Sequence, residues 1–179
     1  MRGTEFGQAV CLALLRGDPA DLAPGWAGYV DDPSMAPGSA RAIVHSCLAA
    51  SLLLAGRPDE ARVLYQPLIS TVSAMERELL NASMFNLTSV ALGLNDAAGC
   101  RILREMLTTV YGRALALGAG TVFYGGSVAR MIGELDLGCG EYAEAVPHFE
   151  EGLRVDSMLR AALPGPRTHG AGARARRDR

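Results

Sequence analysis

Four glycines between residues 118 and 126 (Gly118, Gly120, Gly125 and Gly126) are the first candidates for chemistry. Glycine-rich turns let backbone N–H groups close on phosphates, but only where a strand enters and a helix leaves. No strand is expected before these glycines and their spacing is not GxGxxG. A phosphate-binding loop also needs a lysine to reach the outer phosphates. The chain has none, because all 17 of its basic residues are arginine. The segment therefore reads as a loop between helices, and Schiff-base catalysis is excluded by the same absence. His148 and Glu151, three residues apart, have the spacing of half a carboxylate–histidine metal site. A di-metal bundle needs matching ligands on its other helices, and the sequence supplies none. With Glu141, Glu144 and Glu150 they read as a solvated, acidic helix face. His45, between Val44 and Ser46, reads as partly buried, with no nucleophile to serve as a base. No catalytic residue, metal ligand or cofactor site is expected.

Cys11, Cys47, Cys100 and Cys139 lack metal or redox spacing and sit among apolar or small residues. They read as small buried hydrophobes of a reducing cytoplasm. No signal peptide is expected, and no apolar run reaches the ~18 residues of a membrane span. The formal net charge is -2. From Pro164 onward five arginines stand against Asp178, a balance of +4, so the remainder carries -6 and disfavours phosphate backbones. The arginine tail has no aromatic residue to stack on bases, and no nucleic-acid partner is expected.

The elements that must position any site are helical. Ile43, Cys47, Ala50 and Leu54 recur at three and four residues within Ala40–Ala55, one stripe of a helix capped by Ser39. Further helices are expected over Met1–Leu15, Asp21–Val30, Pro58–Val72, Ala74–Leu94, Ala97–Tyr111, Val128–Cys139 and Glu141–Leu159. Gly56 reads as a C-cap and Pro58 as a first-turn proline, with Pro67 bending the helix that follows. Asp96 and Ser127 read as N-caps.

One pattern occurs twice: Gly56, Glu60, Ala61 and Tyr65 match Gly140, Glu144, Ala145 and Phe149. Asn95 with Ala98-Gly99-Cys100, and Gly17-Asp18-Pro19, are weaker copies. The corners Gly17, Gly56, Asn95 and Gly140 lie about 39, 39 and 45 residues apart, one helix pair per unit, against ~34 for a tetratricopeptide repeat. Alanine near the corner lets two antiparallel helices approach, and the aromatic residue fills the space beside the next helix. Each pair leaves an apolar face that a neighbour must cover.

LLAGRPDEARVLYQPL (Leu53 to Leu68), GGSVAR (Gly125 to Arg130) and GEYAEAVPHFEEGLRVD (Gly140 to Asp156) resemble the helical repeat region of bacterial ATP-binding LuxR-type transcriptional regulators and related multidomain adenylate cyclases and kinases. The resemblance covers roughly residues 5 to 156. It implies a fragment of such a regulator, lacking its NTPase and helix-turn-helix, that makes protein–protein contacts, self-associates or senses a signal. The tail departs from that pattern. Codons for Leu159 to Arg174 can be chosen that, read one base over, give Ala-Arg-Pro-Tyr-Leu-Ala-Arg-Gly, which points to an out-of-frame tail.

The expected fold is all-α, a right-handed TPR-like solenoid of about four antiparallel helix pairs over residues 1–163, followed by a disordered Arg/Gly/Pro-rich tail over 164–179. Its first-helix faces would line a concave partner-binding groove bearing Arg41, His45, Asn81, Phe85, Arg130 and Glu134. The expected function is a non-enzymatic module that binds a protein partner or itself. The alternative is a small-ligand sensor with the glycine loop as lid and Phe123 and Tyr124 as its contacts.

Overall fold

The computed structural model describes residues 39–74, 77–109, 114–117 and 123–162, together with Arg16. Six helices lie among them: α1 Ser39–Leu54, α2 Pro58–Thr71, α3 Arg77–Gly93, α4 Ala97–Thr108, α5 Val128–Cys139 and α6 Tyr142–Ala162. The described chain is thus mainly helical, as its periodicity requires. The expected helices Met1–Leu15 and Asp21–Val30, Cys11 and the tail from Pro164 fall outside the described residues.

Three corners are built alike. Gly56, Asn95 and Gly140 take left-handed φ values of 73°, 54° and 79°. Each of their N–H groups donates to the carbonyl three residues back, on Leu53, Leu92 and Leu137. The next N–H, of Arg57, Asp96 and Glu141, donates to the carbonyl five back, on Leu52, Ala91 and Asp136. These paired bonds satisfy carbonyls that a helix end leaves without partners. Glycine takes such a φ without strain, and asparagine tolerates it. The following helix starts at once, since the carbonyls of Arg57, Asp96 and Glu141 accept from the N–H groups of Ala61, Cys100 and Ala145. Pro58 occupies the first turn of α2, where its missing N–H costs nothing. Asp96 caps α4 by accepting from the Gly99 N–H at 3.1 Å.

Five residues past each corner stands a small side chain with almost no exposure: Ala61 at 0%, Cys100 and Ala145 at 1%. Small volume there lets the helices of one hairpin close together. α1 packs on α2 and α3, α3 on α4 and α5, α4 on α5, and α5 on α6. Tyr65, Met84, Leu87, Leu103, Leu107, Met131, Ile132 and Leu135 are the largest fully buried side chains between them. Each contributes about 1.5–3 kcal/mol by leaving water. The approach of α5 to α6 is set by Gly152, where a Cβ would stand 3.0 Å from the Cβ of Arg130 and 3.1 Å from its backbone nitrogen.

The segment read as an irregular glycine loop is a β-hairpin in part. β1 Ala114–Leu117 pairs antiparallel with β2 Phe123–Ser127, and a bulge falls where the register shifts between Leu115 and Ala116. Ala-Leu-Ala-Leu alternates with period two, and the bulge falls at Gly125-Gly126, where Gly126 has φ 108°. Residues 118–122 between the strands lie outside the described set. Helix limits also move. α2 yields at Thr71 to a 3-10 turn, Val72–Ala74, and α6 runs on to Ala162. Pro67 does sit inside α2, and its carbonyl accepts from the Ser70 and Thr71 hydroxyls at 2.9 Å.

Candidate functional site

The charged and polar side chains that converge do so at the corners. Tyr65, nine residues past Gly56, is fully buried on α2 and donates its hydroxyl to Oδ2 of Asp96 at 3.0 Å. Arg104, nine residues past Asn95 on α4, donates from Nη1 to Oδ1 of Asp136 at 2.9 Å and to Oε2 of Glu141. Asp96 and Glu141 each immediately follow the left-handed residue of the next corner. One position on the second helix of a hairpin therefore hooks the same position of the following corner, once with a phenol and once with a guanidinium. The hooks span 31 and 37 residues of chain. Gly99 makes room for the first: a Cβ there would lie 2.0 Å from the Tyr65 hydroxyl.

The second hook extends into a four-residue cluster. Asp136, on α5, is 1% exposed, and its other oxygen lies 2.6 Å from Nδ1 of His148 on α6. Three helices are thereby tied through one carboxylate. Burying a carboxylate is costly unless it is paired and hydrogen-bonded, and both Asp136 oxygens are. The Glu141 and Asp136 carboxylates raise the pKa of the Arg104 guanidinium further, so its charge is fixed. This corrects the reading of His148 and Glu141 as a solvated acidic face: His148 is half-buried and Glu141 is paired with Arg104. Glu144 and Glu150 are exposed, as that reading held, and Glu151 bonds Arg154 one turn along α6. Asp136 and Arg104 carried no expectation. The available signal was an acid set between Leu135 and Leu137, which once buried demands a cation or donor.

An aspartate–histidine pair can orient an imidazole for proton transfer, but acyl or group transfer also needs an activated nucleophile. The neighbouring thiol, Cys139, donates to the Ala97 carbonyl at 3.8 Å, and burial raises its pKa. Burial also pushes the Cys100 thiol up to about 11. Both shifts oppose thiolate formation. Among the described residues no cluster of three or more His, Cys, Asp or Glu could hold a metal ion. Cys47 and Cys100 are buried and Cys139 is half-buried, as small hydrophobes should be.

The six groove candidates lie on the first helices of the hairpins: Arg41 and His45 on α1, Asn81 and Phe85 on α3, Arg130 and Glu134 on α5. The side chains of Arg41 and Asn81, and those of Phe123 and Tyr124 on β2, lie outside the described set. Phe85 packs partly buried against the core, and His45 is half-buried. Arg130 and Glu134 are brought together, 3.8 Å apart one helical turn along α5. Arg130 also packs against the bulge, because a Cβ on Gly126 would meet its guanidinium at 2.5 Å. Burial raises the pKa of Glu134 against the opposing pull of Arg130. Among the described residues no helix is long and apolar enough to cross a membrane. No protein family, curated protein or solved structure matches the chain in comparison.

Proposed function

We propose that the chain is a TPR-like solenoid of antiparallel helix pairs that serves as a non-enzymatic protein-interaction or self-association module, as the resemblance to cytoplasmic bacterial LuxR-type regulators implies. The observation that carries this reading is the threefold corner, with Ala61, Cys100 and Ala145 in register behind Gly56, Asn95 and Gly140. Identical corners joined by hooks between neighbours are what a stack of like units requires, since each unit must cover the apolar face of the last. The best-built charged cluster supports the same view. Asp136 uses both of its oxygens on side chains of its own chain, so that cluster acts as a structural tie. Surfaces left for function are helix faces, and faces of this kind suit a protein partner.

The experiment is affinity capture with the full chain, paired with an Arg41→Glu variant and a thermal-shift screen against metabolites. A specific protein, or a second copy, held by the wild type and lost from the variant is the expected result. A reproducible rise of several degrees with a small molecule, and no protein captured, overturns it in favour of a ligand sensor.

A further inference from the structure

We infer that Leu137, at the end of the row of first helices α1, α3 and α5, is the seat for a helix pair of another protein, one whose first helix carries glycine two residues ahead of its left-handed corner, a partner class that rests on the interaction-module reading above.

The chain itself shows twice what sits on this leucine. Leu53, Leu92 and Leu137 hold one place, three residues before Gly56, Asn95 and Gly140. Leu53 and Leu92 are half-buried and packed against the core. Each lies on a glycine of the next first helix. A Cβ on Gly93 would overlap Cδ2 of Leu53, and a Cβ on Gly138 would stand 2.8 Å from Cδ2 of Leu92. Gly93 and Gly138 also hold one place, two residues before Asn95 and Gly140. α1 thus meets α3, and α3 meets α5, through the same leucine-on-glycine contact. The missing Cβ is what lets the two helices come this close. Leu137 is the third leucine of the row and is 43% exposed. Glu134 and Arg130, three and seven residues before it, continue its stripe of α5 with side chains 35% and 39% exposed. The seat is an apolar knob beside an ion pair, continuous with the contacts already made inside the array.

The same register excludes the chain as its own occupant. In a second copy, Gly93 and Gly138 are taken by that copy's Leu53 and Leu92. The helix α1, which would lead a head-to-tail neighbour, has Leu54 two residues before its corner, and the helix expected before Gly17 has Leu15 there. A leucine in that place overpacks a contact built for glycine. Residues 164–179 contain no Val, Ile, Leu, Met, Phe, Tyr or Trp with which to pack a helix on the knob.

The probe is a synthetic peptide of residues 127–162, the chain's own α5–α6 pair, with Gly138 in the required place. Fluorescence anisotropy reads its binding to the full chain. An isolated helix pair must order as it binds, so the expected Kd is about 50–500 μM. Leu137→Asp in the full chain should weaken binding at least about tenfold, and so should Gly138→Leu in the peptide. Val63→Asp, which replaces a 72% exposed apolar residue on α2, should leave it unchanged. Circular dichroism confirms that each full-chain variant is folded. No binding up to about 2 mM overturns the proposal. So does binding indifferent to Leu137→Asp, which is what exchange with the chain's own α5–α6 would give. A dimer of the full chain that Leu137→Asp abolishes overturns the choice of occupant. If a captured protein is held equally by the wild type and by Leu137→Asp, this seat fails while the interaction-module reading stands.

Discussion

Asp136→Ala is the substitution that isolates the tie between α4, α5 and α6. It removes two bonds, 2.9 Å to Arg104 and 2.6 Å to His148, from an acceptor that is 1% exposed. Breaking a fully buried ion pair costs about 3–5 kcal/mol, mostly because a charge is left buried without a partner. Here the penalty is smaller. The Arg104 side chain is 24% exposed and keeps Glu141, and that of His148 is 26% exposed and can take up water. Alanine also returns about 0.5 kcal/mol in helix propensity. The backbone carbonyl of residue 136, which closes the Gly140 corner by accepting from Glu141, is untouched. The balance is a loss of about 2–4 kcal/mol, or roughly 6–12 °C in Tm for a chain of this size. Urea unfolding of wild type, Asp136→Ala, Arg104→Ala and the double variant supplies a cycle, in which the coupling should be about 1–3 kcal/mol. A loss below about 1 kcal/mol with no coupling would refute the claim that this carboxylate holds the three helices together.

Gly99→Ala should destabilise by about 2–4 kcal/mol despite alanine's better helix propensity, because the new Cβ meets the hydroxyl of a ring with no room to move. Tyr65→Phe should recover part of that loss in the same chain, which urea melts of the single and double variants would show. Glu134→Gln should act through pH. The raised folded-state pKa of Glu134 means its contribution is fully present below the unfolded value of 4.5 and is lost as pH rises through the folded value, so the glutamine variant should be the more stable at pH 7 and the difference should vanish near pH 4. The Cys100 thiol, held at about 11 and 1% exposed, should resist iodoacetamide at pH 8 until the chain is unfolded, as mass spectrometry of the alkylated peptide would report.

The corners were legible because their chemistry is local. Gly56 and Gly140 are cheap left-handed residues, Pro58 fits only a first turn, and Ala61 and Ala145 repeat at fixed distance behind them. Asn95 and Cys100 are a harder copy to see, yet they hold the same backbone bonds. The Asp136 cluster was not legible. Its members come from three helices, and His148 beside Phe149 and Glu150 looks from its own helix like any solvated histidine. Only the stacking of α4 on α5 and of α5 on α6 brings Arg104 and His148 to the same carboxylate. The hairpin was missed for another reason. Glycine at 118, 120, 125 and 126 reads as a break, and four residues of alternating alanine and leucine are too short and too uniformly apolar a run to separate strand from helix.

The interval from Asn95 to Gly140 exceeds that from Gly56 to Asn95 by six residues, and the Arg104–Glu141 hook spans six more residues than the Tyr65–Asp96 hook. The β1–β2 segment takes 19 residues from α4 to α5 where five join α2 to α3, and α4 and α5 are together seven residues shorter than α2 and α3, so the excursion replaces helix as well as adding length. A peptide epitope spliced between Leu117 and Phe123 should leave the backbone bonds of the Gly140 corner in place, since those bonds lie wholly within residues 136–145.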